Sequence, residues 1–258
     1  MNILRSLCVA LALYSKLPVP QVEWNKQSMA YALAFFPLVG CVCSAGLFAW
    51  CWLADTFALG NVLFAAGCTL VPILITGGIH IDGFCDVSDA LSSWQTKERR
   101  LEILKDSHIG AFALICTGCY LLAYFACWTE IKPTLSAICF AAVVYPLCRT
   151  LSGLGIANLR CAKSSGLAAT FADNADRRGV TVALSVWLVL LAVLLLDMGI
   201  FCGLLGLAVA ALCFGYYRLS AYRNFGGING DLAGWFLQNL ELSWLILIIV
   251  LQKMQYLM

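Results

Sequence analysis

The chain has 258 residues, of which 62% are hydrophobic and only 12% are charged, and its formal net charge is +2. A soluble domain carries roughly 25% charged residues, so this composition excludes an ordinary water-soluble fold. No basic stripe runs along the sequence, which argues against a nucleic-acid partner. Uncharged runs of about twenty residues recur, and each is long enough to cross a bilayer as a helix.

The N-terminal stretch, MNILRSLCVALALYSKLPVP, contains a short apolar run followed by two prolines. It has one early arginine but lacks a small-x-small cleavage site, and longer apolar runs follow it. We therefore expect residues 1–28 to form an interfacial segment that stays attached to the chain. Its helix should run from Leu4 to Tyr14 and end before Pro18 and Pro20.

The sequence predicts an all-α fold, a polytopic membrane bundle of about seven spanning helices in a single domain covering residues 1–258. The expected spans are 29–53, 57–79, 110–128, 133–157, 180–197, 199–218 and 233–251. Most of the 14 cysteines lie within these apolar runs. Cysteine behaves there as a small hydrophobe, so we interpret the cysteines as packing residues.

Lysines and arginines are distributed unevenly between the loops that join these spans. In the seven-span arrangement, 13 of the 16 basic residues fall on the side of the N-terminus and of the loops at about 80–109, 158–179 and 219–232. Only Lys132 and Lys253 fall on the other side. The positive-inside rule then predicts a cytoplasmic N-terminus, three cytoplasmic loops and an external C-terminus.

The second span is followed by the sequence GGIHIDGFCDVSDA, which brings three aspartates, Asp82, Asp86 and Asp89. In a helix, with about 100° per residue, all three carboxylates share one face. Like charges at this spacing repel each other, and oxygen ligands suit Mg²⁺ or Mn²⁺. The alternative is a solvated acidic helix start. Because the whole chain has only 14 acidic residues, their gathering at a membrane boundary favours a metal site.

His80 lies just before these aspartates. It is a candidate general base or ligand, and a hydrogen-bonded interfacial histidine is the alternative. The glycines at 77 and 78 predict that the helix does not extend back to His80.

Three further polar stretches fall on the same predicted side of the membrane. KDSHIGAFA places Lys105 and Asp106 before the third span, and GGINGDLAG places Gly230 and Asp231 in a glycine-rich turn before the seventh. Such a turn can offer backbone N–H groups to phosphate. Lys163, in LRCAKSSGLAATFAD, is a further candidate phosphate ligand. The alternative for each stretch is an ordinary helix start or a basic loop anchored at the membrane surface.

Two charged residues, Arg149 and Glu241, lie inside predicted spans. Charges at that depth are costly, usually face the bundle interior and usually have a role. We consider both as candidate substrate-binding residues. The alternative is structural, in which the two side chains pair with each other.

Taken together, these stretches resemble the cobalamin synthase family, the adenosylcobinamide-GDP ribazoletransferases. The family pattern G-G-x-H-x-D-G-x-x-D-x-x-D is matched by Gly77, Gly78, His80, Asp82, Gly83, Asp86 and Asp89. The stretch Lys105–Ala113 is similar to K-D-S-R-I-G-A-F-G, with His108 and Ala113 as departures. The late G-D-x-x-G is matched by Gly230, Asp231 and Gly234, with Asn229 where threonine is usual, and KLPVP is similar to R-L-P-V-P. The resemblance extends from about Leu13 to Glu241.

This resemblance implies a Mg²⁺-dependent reaction in the bacterial inner membrane, with the active site facing the cytoplasm. The implied substrates are adenosylcobinamide-GDP and α-ribazole, or its 5′-phosphate, and the implied products are adenosylcobalamin, or its 5′-phosphate, and GMP. Catalysis of such transfers is mainly positioning and charge neutralisation. Lys105 would stabilise phosphate charge, and His80, Asp106 and Asp231 are the candidate proton acceptors for the attacking hydroxyl. A homo-oligomer, or association with other corrinoid-pathway enzymes, is compatible with such a function.

Two other classes compete with this interpretation. A CDP-alcohol phosphotransferase also places aspartates around a metal at a membrane boundary, but Cys85 and Asp86 stand where its pattern requires Ala-Arg. A secondary transporter would use Arg149 and Glu241 near the midplane between internal repeats. The sequence has no visible repeat, and its polar residues cluster in loops on one side, which favours an enzyme.

Overall fold

The computed structural model of the chain describes residues 2–106, 108–162, 170 and 174–257. Within these ranges the regular secondary structure is helical, apart from an isolated parallel bridge between Cys161 and Ile228. A short 3₁₀ turn, Ala32–Phe35, precedes α3. The helices are α1 Asn2–Tyr14, α2 Lys26–Met29, α3 Phe36–Thr56, α4 Asn61–Thr76, α5 Ile79–Ser92, α6 Lys97–Ile103, α7 Ala111–Glu130, α8 Leu135–Asn158, α9 Arg177–Asp197, α10 Ile200–Phe225 and α11 Gly230–Lys253.

The length and hydropathy of these helices confirm an all-α polytopic membrane bundle. Six stretches within the described ranges are long and apolar enough to cross a membrane, namely the one that ends with α3 and helices α7 to α11. A seventh candidate consists of α4 and α5 together, which meet at an angle of 95°. The predicted number of seven spans is reached when this bent pair counts as one.

The bend between α4 and α5 separates the carboxylate-bearing helix from the span before it. Gly77 and Gly78 have φ angles of 65° and 79°, a region that glycine enters without the steric cost of a Cβ atom. The chain therefore turns within two residues, and α5 begins directly at Ile79. The expectation that the helix would not reach His80 is wrong, because both glycines lie before its first residue.

The last predicted loop, 219–232, is shorter than expected. Helix α10 continues through Arg218 and Arg223 and ends at Phe225. The first residue after it, Gly226, has a φ of 79° and ends the helix in the left-handed conformation that glycine favours. Only residues 226–229 separate α10 from α11.

Helix α8 forms the centre of the bundle and packs against α3, α9 and α11. Pro146 interrupts its hydrogen-bonding pattern, since proline has no N–H to donate to the carbonyl four residues earlier. That carbonyl belongs to Ala142, and the hydroxyl of Ser44 on α3 donates to it at 2.7 Å. A polar group that proline would leave unpaired in a membrane interior is thus satisfied by the neighbouring helix.

The end of the bundle that is distant from α5 consists of short connections. The side-chain amide of Gln252 donates to the carbonyl of Lys132 at 2.8 Å and accepts from the Lys132 N–H at 3.0 Å. Lys253 and Glu130 form an ion pair of 3.8 Å at the same end. These contacts hold the turn between α7 and α8 against the last turn of α11.

Candidate functional site

The N-terminal halves of α5 and α11 lie backbone to backbone. A Cβ atom on Gly83 would lie 2.8 Å from the carbonyl oxygen of Asp231, and one on Gly234 would lie 2.9 Å from that of His80. Both distances are too short for any side chain, so the two glycines allow the helices to meet at this point. This contact brings together two motifs that are about 150 residues apart in the sequence.

As a result, four carboxylates gather at one end of the bundle. Helix α5 is continuous across Asp82, Asp86 and Asp89, so these three share a face at helical spacing. Asp82, Asp231 and Asp89 are all close enough to Asp86 to repel its charge. We call Asp82, Asp86, Asp89 and Asp231 the aspartate cluster. None of the salt bridges between described residues involves a member of it.

A cavity of ≈ 380 Å³ opens beside the aspartate cluster. Five of the residues singled out in the sequence line it, namely His80, Asp82, Lys105, Gly230 and Asp231. Apolar side chains from α1, α3 and α6 complete its walls. The cavity therefore combines carboxylates, the lysine side chain of Lys105 and the start of α11 with a largely apolar lining.

His80 is buried in the wall of this cavity, with 5% of its surface exposed. Its ring stacks on Tyr14 with centroids 6.3 Å apart and is tilted against Phe36 at 5.8 Å. The Nε2 atom has no hydrogen-bond partner among the described residues. A buried polar atom without a partner is costly, so this nitrogen is a candidate contact for a molecule bound in the cavity.

A second cavity, of ≈ 530 Å³, lies on another side of Asp82. It is lined by the end of α1, by Lys16 and by the Gly77–Gly78 turn. The backbone N–H of Lys16 donates to the carbonyl of Ile75 at 2.8 Å, which fixes the KLPVP segment against α4. Lys16 thus lines a cavity beside Asp82 and is a further candidate, which the sequence pattern did not single out although its motif was noted.

Hydrogen bonds from two segments hold the glycine-rich turn before α11. The side chain of Asn229 accepts from the N–H of Leu232 at 2.8 Å and so caps α11, and it donates to Asp231 at 3.2 Å. The backbone of Ile228 pairs with Arg160 and Ala162 at 2.9 and 2.8 Å. The turn is thereby held against the segment that follows α8. Lys163 comes directly after that segment and lies outside the described residues, so its role stays a prediction.

Asp106 differs from the other candidates because it is exposed and is not among the residues that line the cavity. Its carboxylate accepts from the backbone N–H of His108 at 3.0 Å and contacts the His108 ring nitrogen Nδ1 at 2.7 Å. These two hydrogen bonds stabilise the ionised form and lower the pKa of Asp106 below its ordinary value.

Arg149 and Glu241 lie apart from both cavities, in the middle of the bundle. Arg149 Nη1 and Glu241 Oε1 are 3.2 Å apart, and the side chains are only 1% and 2% exposed. Arg149 also donates to the carbonyl of Tyr145 at 2.9 Å. The two charges pair with each other, which is the structural alternative considered from the sequence. Their substrate-binding role stays a prediction.

The fold and the site define a class of protein: a multi-pass membrane protein that gathers carboxylates, a lysine and a capped helix start around a cavity at one end of its bundle. Within that class, the chain belongs to the cobalamin-5-phosphate synthase family, whose family model matches residues 6–249. The resemblance stated from the sequence motifs is thereby confirmed.

Curated relatives agree with this assignment. A protein of Lachnoclostridium phytofermentans named adenosylcobinamide-GDP ribazoletransferase is 46% identical over 242 residues, which cover 94% of this chain and 92% of that protein. Proteins with the same name from Clostridium perfringens and Geobacillus sp. are 30% and 32% identical, and the alignments cover 95% and 87% of this chain and 97% and 87% of those proteins. No solved structure matches the chain.

Proposed function

We propose that this protein joins adenosylcobinamide-GDP to α-ribazole, or to α-ribazole 5′-phosphate, and releases GMP. The observation that carries the proposal is the match of nearly the whole chain to a relative named adenosylcobinamide-GDP ribazoletransferase at 46% identity. In the reaction, a ribose hydroxyl oxygen bonds to the phosphorus that carries cobinamide. The bond from that phosphorus to the GMP oxygen breaks, and the hydroxyl proton passes to an acceptor in the site.

The residues around the cavity fit these requirements. Lys105 supplies a positive charge for the diphosphate, and the first N–H groups of α11, at Gly230 and Asp231, favour an anion there. The acceptor of the hydroxyl proton must lie within hydrogen-bond reach of the substrate. His80 and Asp231 line the cavity and are therefore our two candidates for this acceptor.

The aspartate cluster fits a divalent cation. Its carboxylates repel one another and form no salt bridge with any described lysine or arginine. Among the described residues, no three His, Cys, Asp or Glu side chains already converge on one metal position. Mg²⁺ commonly uses one or two carboxylates together with substrate phosphates and waters, so Asp82 and Asp86 suffice as its first protein ligands. When bound, Mg²⁺ would neutralise charge on the diphosphate and on the departing GMP.

The proposed location is the bacterial inner membrane, with the cavity facing the cytoplasm. This proposal rests on the sequence, because the seven-span arrangement puts 13 of the 16 basic residues on the side of the N-terminus and of the loops that carry the cavity residues. Reporter fusions at Gln95, Asn174 and Lys253 test it. We expect alkaline phosphatase to be active only at Lys253, and activity at Gln95 or Asn174 would contradict the orientation.

The activity itself is tested with protein purified in detergent. Adenosylcobinamide-GDP, α-ribazole and Mg²⁺ are supplied together, and GMP release and corrinoid product are measured by chromatography. We expect both products in equal amounts, and only when both substrates are present. Failure of α-ribazole and of its 5′-phosphate to elicit GMP release would contradict the proposal.

A further inference from the structure

Asp89 differs from the other members of the aspartate cluster because its carboxylate already has a structural partner. Its Oδ1 atom accepts a hydrogen bond from the backbone N–H of Ala113 at 3.3 Å, in the first turn of α7. Gly110 occupies the N-cap position of α7 and has no side chain to cap the helix. A Cβ atom on Gly110 would collide with the Asp89 carboxylate. The acceptor that α7 lacks locally is therefore supplied by α5.

This hydrogen bond stabilises the start of α7. The first four N–H groups of an α-helix have no partner within the helix, and aspartate is among the best residues for satisfying one of them. Its negative charge is also favoured at the positive end of the helix dipole. A second contact along the same interface, from Thr117 Oγ1 to Cys85 Sγ at 3.2 Å, aligns α7 with α5. Asp89 thus fixes the point at which α7 begins.

The start of α7 matters to the site because Lys105 comes only a few residues before it and lines the cavity. We propose that Asp89 is a positioning residue, which caps α7 and so holds Lys105 at the cavity, while Asp82 and Asp86, beside the charge of Asp231, would hold the divalent cation. This inference rests on the proposed function and reassigns the Asp89 carboxylate, which the sequence pattern placed among the metal ligands. His80, whose Nε2 has no hydrogen-bond partner among the described residues, lines the same cavity as Asp82 and Asp231.

The test compares Asp89→Asn and Asp89→Ala with Asp86→Asn and Asp231→Asn. Asparagine retains an oxygen that can accept the Ala113 N–H but carries no charge, whereas alanine removes the cap. Binding of Mn²⁺ to each purified variant, without substrates, is measured by electron paramagnetic resonance. We expect Asp86→Asn and Asp231→Asn to weaken Mn²⁺ binding at least about tenfold. Asp89→Asn should bind Mn²⁺ as the parent protein does.

Two further measurements separate positioning from a general structural defect. Asp89→Ala should lose between about tenfold and 100-fold in turnover, because Lys105 is misplaced, and Asp89→Asn should restore most of it. Trypsin cleavage after Lys105, followed by mass spectrometry, should accelerate in Asp89→Ala but not in Asp89→Asn. Cleavage after Arg178, in the first turn of α9, is the internal reference.

Loss of Mn²⁺ binding in Asp89→Asn equal to that in Asp86→Asn would overturn the inference and make Asp89 a metal ligand. Equal turnover and equal trypsin sensitivity in Asp89→Asn and Asp89→Ala would also overturn it. If the parent protein released no GMP, the proposed function would fail, and the trypsin comparison would still decide whether Asp89 holds Lys105. If Asp89→Ala did not accumulate, the Mn²⁺ binding of Asp89→Asn would decide between ligand and cap.

Discussion

The Arg149–Glu241 pair and the aspartate cluster are two concentrations of charge in a chain that has little charge to place. In the first, opposite charges lie 3.2 Å apart in the middle of the bundle, and almost no surface is exposed. In the second, like charges lie at the end of the bundle beside a cavity, without a salt bridge to any described residue. A charge that is neutralised inside the bundle can be structural, whereas the cluster that is not neutralised is the place where we propose a cation from outside.

The largest effect is expected when one charge of the buried Arg149–Glu241 pair is removed. Arg149→Ala leaves Glu241 buried without its partner, which should lower the free energy of unfolding by about 3–5 kcal/mol. Thermal unfolding in detergent and the yield of folded protein measure this loss. The matched control is Arg177→Ala, because Arg177 is exposed at the start of α9 and forms no salt bridge with a described residue. Equal, near-normal yield and turnover of both variants would show that the buried pair has no special role.

The opposite result is expected in the aspartate cluster. Asp86→Asn keeps the size of the side chain and removes its charge, so turnover should fall by about 100-fold if a divalent cation is bound there. The melting temperature should hold or rise slightly, because repulsion with Asp82, Asp89 and Asp231 is relieved. Added Mg²⁺ or Mn²⁺ should restore part of the activity.

Asp197→Asn is the control for that experiment. Asp197 ends α9 at the other end of the bundle, so its turnover and its Mg²⁺ dependence should match those of the parent protein. A near-normal rate of Asp86→Asn across a Mg²⁺ titration would remove the metal from the proposal. Failure of Asp86→Asn to accumulate would instead show that its carboxylate is structural.

Much of this fold could be predicted from local patterns in the sequence. The apolar runs locate the spans, and the helical period places Asp82, Asp86 and Asp89 on one face. Even the Arg149–Glu241 pair was among the alternatives, because two charges in membrane spans have few other partners.

The parts that could not be predicted depend on contacts between distant segments. The period of a helix says which residues share a face but not which other helix that face meets. The approach of Gly83 to Asp231 decides that Asp231 joins the cluster, and the position of Ala113 decides that Asp89 caps α7. The sequence does contain the glycines that allow these two contacts, at 83, 110 and 234. The need for glycine at these positions becomes clear only in the folded structure.

A smaller effect is expected when the glycine contact between α5 and α11, which brings Asp231 to the aspartate cluster, is changed. Gly234→Ala forces a methyl group against the backbone of His80 and should cost about 1–3 kcal/mol of stability, as overpacking does. It should also lower Mn²⁺ affinity, because Asp231 moves away from Asp86. Gly215→Ala is the matched control, since a Cβ atom there meets no other atom within 4 Å. A Gly234→Ala protein with parental stability and Mn²⁺ affinity would mean that this contact does not hold the cluster together.

The smallest effect is expected at Asp106, the one candidate proton acceptor that the structure places outside the cavity lining. Hydrogen bonds from His108 lower its pKa, so the carboxylate stays ionised at neutral pH and is a weak base. Asp106→Asn keeps an oxygen for the His108 N–H and should change turnover by less than about twofold, whereas loss of a general base typically costs about 100-fold or more.

The pH profile distinguishes the two cases, because protonation of the acceptor inactivates the enzyme as the pH falls through the pKa of that group. In Asp106→Asn, the loss of activity at low pH should therefore persist. It should disappear in one of the two variants Asp231→Asn and His80→Gln, namely the one that removes the proton acceptor. A large loss together with a vanished acid limb in Asp106→Asn would instead identify Asp106 as the base, and would require its segment to close over the cavity when substrate binds.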